Sequence, residues 1–206
     1  MQALLKLSRR IDWLNSLIGR YVIWLILAST VISGVNAVVR KVFNYSYNGF
    51  LEVQWYLFAA AFLLAAGYTL LQGEHVKVDV VASRLSKRTQ MWIDVFGFVF
   101  FLTPVCLVIL WYGIPFFIQG FTSNEMSSNA GGLIRWPVYL MMPLGFGLLL
   151  LQGLSELIKR LAFLQGLIDD PTAKKSEKSA EEELAESIRR LAQAAKGHDT
   201  SAAKAD

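Results

Sequence analysis

Residues 48–58 read N-G-F-L-E-V-Q-W-Y-L-F, an apolar run continues to Leu71, and residues 72–81 read Q-G-E-H-V-K-V-D-V-V. A single carboxylate, Glu52, stands at the mouth of a hydrophobic segment long enough to cross a bilayer. At its far end Glu74, His75, Lys77 and Asp79 mark the return to water. A transmembrane helix needs roughly 20 mostly apolar residues to span about 30 Å of hydrocarbon, and Val53 to Leu71 meets that requirement.

Three more stretches qualify: Tyr21 to Val39, Val95 to Ile118 and Trp136 to Leu154. None of the four holds a charged side chain, and 54% of the 206 residues are hydrophobic. Backbone groups in hydrocarbon must bond to one another, and these lengths suit helices rather than barrel strands. The sequence therefore predicts an all-α integral membrane protein with four transmembrane helices.

Orientation follows from the basic residues. Lys6, Arg9, Arg10 and Arg20 precede the first span; Lys77, Arg84, Lys87 and Arg88 lie between spans two and three; Lys159 and Arg160 follow span four. The opposite side carries only Arg40, Lys41 and Arg135. This asymmetry predicts cytoplasmic termini. Trp24, Trp55, Trp92, Trp111 and Trp136 fall near the expected span ends, where indoles favour the interface. The net charge of +4 reflects the same bias and argues for lipid headgroups rather than nucleic acid.

The segments outside the spans divide the chain into three. Within residues 1–20, Leu4, Leu7, Ile11, Leu14 and Ile18 recur at helical steps, with Lys6, Arg9 and Arg10 elsewhere on the wheel. This predicts an amphipathic interfacial helix; a simple extension of span one is the other reading. A cleaved signal is not expected, because the apolar run is long and Asp12 interrupts the basic lead. Residues 21–168 form the membrane domain with a juxtamembrane extension. Residues 169–206 turn to Ala, Glu, Lys and Ser, a composition too polar for a core and expected to be a disordered cytoplasmic tail.

Within the spans, Ser29, Thr30, Ser33 and Gly34, and Ala59 to Ala61 with Ala65, Ala66 and Gly67, provide small residues for close helix approach. Pro104 cannot donate to the carbonyl of Phe100, which predicts a kink in span three.

Reactive chemistry is sparse. The two histidines, His75 and His198, lie outside the spans, so no facing pair can ligate a haem inside the bundle. One cysteine, Cys106, leaves no clustered Cys and His for zinc, and no phosphate-binding G-x-x-x-x-G-K-[ST] loop occurs. Neither enzyme activity nor a metal or cofactor is expected. Glu52 and Asp94 are the ionisable candidates for a transport role, but each sits at a span edge rather than at the midplane where coupled transporters place their sites. Glu52 fits a helix-end acid that caps amides or pairs with Arg40, Lys41 or a partner's base. A self-contained proton-coupled exporter acting as a homo-oligomer is the competing reading.

The quoted stretch, with L-E-V-Q-W-Y-L-F-A-A-A-F-L-L-A-A-G-Y-T-L and G-E-H-V-K-V-D-V-V, resembles the small, DctQ-like membrane subunit of tripartite ATP-independent periplasmic (TRAP) transporters. The later G-G-L-I-R-W-P-V-Y-L-M-M-P-L-G-F and L-L-L-L-Q-G-L-S-E-L-I-K-R are similar to its fourth helix, and the likeness covers about residues 15 to 165. The resemblance maps the family's helix-two glutamate to Glu52 and its loop signature to His75, Val78 and Asp79. It implies a sodium-coupled organic-acid uptake system in which a large, DctM-like multi-pass subunit carries substrate elevator-fashion. A periplasmic binding protein delivers the substrate, and the small subunit braces the fixed scaffold. On that reading Glu52 and Trp55 outside, with Glu74, His75, Asp79 and Arg84 inside, form the partner interface.

Overall fold

In the computed structural model the described residues are 2–45, 47–73, 85–168 and 188. The chain divides into a unit ending at Asp169 and a second, Asp170–Asp206, of which only Ile188 is described. The first unit is helical: α1 (Gln2–Phe43), α2 (Asn48–Gln72), α3 (Lys87–Gly97), a π-helical turn (Phe98–Leu102), α4 (Thr103–Thr122) and α5 (Trp136–Leu164). With α3, the π turn and α4 taken as one run, four helices are long and apolar enough to cross a membrane.

α1 runs without a break for 42 residues, about 60 Å at 1.5 Å per residue. The boundary expected at residue 20 is therefore not a break in the backbone. The face packed against the rest of the chain shares Ile11 with the apolar stripe but is turned toward the polar side of the wheel: Ser8, Ile11, Asn15, Gly19 and Val22 are buried, whereas Leu4 and Leu7 are exposed. The reason lies in the partners. α5 offers polar groups at this level, and a membrane interior gives apolar side chains no drive to leave lipid.

α1 packs antiparallel on α2, bringing Gly19 to the ring of Tyr68, Asn15 to Gly67, and the Ser29 hydroxyl to the Gln54 carbonyl at 3.3 Å. Of the small residues expected to mediate packing, Ala60, Ala61 and Gly67 are buried, and Ser29 meets α2. Gly34 has open space around it. α5 lies against α2 at Gly145, where a Cβ would stand 2.6 Å from the Leu63 carbonyl oxygen. Only glycine allows that approach.

The irregularity expected at Pro104 appears one turn earlier. The Thr103 amide and hydroxyl both donate to the Phe98 carbonyl, the hydroxyl at 2.8 Å. A wider π turn absorbs the donor that Pro104 lacks. At the far end of α2, Gly73 adopts a left-handed conformation and its amide caps the carbonyls of Thr69 and Leu70.

Candidate functional site

Two polar clusters occupy opposite ends of the bundle. The first is built on one face of α2. Asn48, Glu52 and Tyr56 recur every four residues, so their side chains stack along the helix, and all three grip the connection between α4 and α5. Asn48 Nδ2 donates to the Ala130 carbonyl at 3.0 Å, and Tyr56 Oη to the Ile134 carbonyl at 3.1 Å. Glu52, 3% exposed, accepts from the Leu133 amide at 2.6 Å, from Asn129 Nδ2 at 2.9 Å and from the Ser127 hydroxyl.

The gripped segment is itself ordered by backbone bonds. The Ser127 amide donates to the Leu133 carbonyl and the Arg135 amide to the Glu125 carbonyl, each at 2.9 Å. Arg135 also pairs with Glu125 at 3.0 Å, and Tyr139 Oη donates to the same carboxylate at 2.9 Å. Bonding to Tyr139 and Glu125 raises the pKa of Arg135, so it stays a cation. Glu52 thus captures an amide, but from a distant loop rather than from its own helix start. It lies on the second turn of α2, and its described partners do not include Arg40 or Lys41.

The second cluster joins α1, α3 and α5. Asp12 accepts from Ser155 Oγ at 2.7 Å and Gln152 Nε2 at 2.9 Å on one oxygen, and pairs with Lys159 at 2.8 Å on the other. Lys159 also meets Glu156 at 2.7 Å. Arg160 bonds Glu156 at 2.6 Å and Asp94 of α3 at 2.8 Å, and its guanidinium lies 4.6 Å from the centre of the Phe98 ring on the π turn. Ser8 faces Ser155 at 2.7 Å, and Asn15 Nδ2 donates to Gln152 Oε1 at 2.9 Å. Ser8, Asn15, Gln152, Ser155, Glu156 and Arg160 are all buried.

The two clusters treat the candidate residues unequally. Glu52 is inside the first cluster, while Trp55, one residue beyond the gripping face, is 63% exposed. Glu74, His75, Asp79 and Arg84 lie outside the described residues. Asp94, the exporter candidate, is bound to Arg160. The second cluster escapes a reading based on apolar stripes, because its members look like scattered polar residues. Their spacing was the available signal: Ser8, Asp12 and Asn15, and Gln152, Ser155, Glu156 and Lys159, each trace one helical face.

Neither cluster is arranged for bond-making chemistry. Each joins distant segments through hydrogen bonds and ion pairs, and among the described residues no group of three His, Cys, Asp or Glu could hold a metal. Cys106 is buried in α4 and is a free thiol.

No curated protein and no solved structure matches the chain. The family described as "Tripartite ATP-independent periplasmic transporters, DctQ component" does, over residues 29–163. That range takes in both gripping faces of α2 and α5, and it covers well over half of the sequence. The chain belongs to the DctQ family, the small membrane subunit of TRAP transporters.

Proposed function

We propose that this chain braces the large, elevator-type membrane subunit of a TRAP system for sodium-coupled uptake of an organic acid. It does so as a multi-pass inner-membrane protein with cytoplasmic termini. Its partners are a DctM-like subunit and, in the assembled system, a periplasmic substrate-binding protein. DctQ is a transporter component and not an enzyme family, so the activity sought is support of transport.

The observation that carries this reading is where the ionisable groups lie. Glu52, Asp94, Glu156, Lys159 and Arg160 are committed to partners within the chain at the two ends of the bundle. The stretches 53–71, 95–118 and 136–154 between those ends carry no charge at all. A carrier needs a site that can bind and release at mid-depth; a brace needs rigidity. In this proposal Glu52 acts on the partner interface through the loop it holds, Trp55 contacts the partner directly, and Glu74, His75, Asp79 and Arg84 extend the interface on the inner side.

Gentle purification of the tagged chain from its native membrane tests the assignment. A stoichiometric multi-pass partner, with no flux from the chain alone, is the expected result. A homo-oligomer catalysing proton-coupled flux that vanishes on neutralising Glu52 or Asp94 overturns it.

A further inference from the structure

The face of α1 turned away from the bundle carries a pattern that bracing does not use. At 100° per residue, Lys6, Arg9, Trp13, Arg20 and Trp24 fall within a window of about 60°, opposite the buried line of Ser8, Ile11, Asn15, Gly19 and Val22. All five are exposed, Trp13 at 65% and Trp24 at 62%, and Arg10 beside them is exposed too. The single carboxylate of α1, Asp12, is turned away and held by Lys159, Ser155 and Gln152. Among the described residues none of Lys6, Arg9, Arg10 and Arg20 forms an ion pair.

We propose that this face is a binding site for anionic phospholipid of the leaflet nearest the N-terminus, with Arg9, Arg10 and Arg20 on the phosphates and Trp24, at the start of the uncharged run, at the glycerol level. Charge complementarity selects the occupant, since four cations stand together with no carboxylate among them. The interleaved indoles select lipid over an acidic protein segment, because tryptophan between cations is the pattern of a helix at a headgroup layer. The same helix also enters the uncharged run Tyr21–Val39, so the face is continuous with lipid-facing surface. Arg20 lies five residues above Asn15, about 7 Å along the axis, and a guanidinium at that depth extends its apolar stem and places its charge at the interface. The face is thereby a lipid seat and not part of the surface offered to the large subunit.

The test uses the full chain in membranes containing phosphatidylcholine with phosphatidylglycerol, extracted into mild detergent, with retained lipid identified by mass spectrometry. Phosphatidylglycerol should be enriched over phosphatidylcholine, and Arg9→Gln and Arg20→Gln should each lower the enrichment about fivefold. Circular dichroism should stay unchanged, because neither side chain touches the buried line. Retention without headgroup preference, or a preference the two variants leave intact, overturns the proposal. A photo-reactive residue at position 13 separates the occupants. Cross-linking to phospholipid supports the assignment, whereas cross-linking to the large subunit or to the chain's own acidic segment 181–186 overturns it.

Discussion

Glu52 accepts three donors from a loop more than seventy residues away in sequence, so its carboxylate holds α2 to the connection before α5. In Glu52→Gln one oxygen becomes an NH₂ facing other donors. Leaving a buried donor unsatisfied costs about 1–3 kcal/mol, and the expected outcome is a lower melting temperature with faster proteolysis within 123–135. If uptake depends on the loop, it falls in parallel; a variant with unchanged melting, proteolysis and uptake removes Glu52 from the brace. Arg160 poses the same question at the other end. Arg160→Met strips Glu156 and Asp94 of their shared cation, and breaking a buried pair by removing one partner costs about 3–5 kcal/mol. Adding Glu156→Gln should return part of that loss in thermal unfolding. Strict additivity of the two changes means that the pair is not coupled.

At the scale of elements, the helices were legible from hydrophobic length and their pairing faces only in part, through small residues such as Ala60, Ala61 and Gly67 of α2. Apolar runs locate spans because hydrocarbon thickness sets their length. Within lipid, however, apolar and protein-facing surfaces look alike, so the packed face is marked by small and polar residues instead. Hence the Leu4–Leu7 side of α1 stays exposed and Ser8, Asn15 and Gly19 turn inward. In α5 likewise, Gln152, Gly153, Ser155 and Glu156 pack inside while Leu151 and Leu154 face out. The π turn shows another limit. A proline announces a missing donor, but the chain chose Thr103 and the Phe98 carbonyl to repair the ladder. Gly145→Ala tests the α2–α5 contact: its Cβ would meet backbone rather than a movable side chain. Overpacking of this kind costs about 1–3 kcal/mol. The expected readout is a lowered melting temperature, and an unchanged one means that the helices can separate freely.

Over the whole molecule, family membership and four potential spans agree with the composition, while Glu52's loop partners lay beyond reach of a linear reading because residues 125–135 look like any polar connection. Direction across the membrane rests on physics of a different kind, the uneven distribution of lysine and arginine. Part of that distribution now has a structural role, since Lys159 and Arg160 are bound in the cluster that joins α1, α3 and α5. The proposed orientation then rests on the cations that remain exposed, among them Lys6, Arg9, Arg10, Arg20, Lys87 and Arg88. In the proposed topology four crossings put both ends of the membrane unit on one side. With Cys106→Ala as background, a membrane-impermeant thiol reagent applied to intact inner-membrane spheroplasts should label Asn124→Cys and leave Gln2→Cys and Gln165→Cys untouched. In inverted vesicles the pattern should exchange. Labelling of Gln2→Cys from outside would reverse the assigned orientation, and labelling of Gln2→Cys and Gln165→Cys from opposite faces would mean that one of the four helices does not cross.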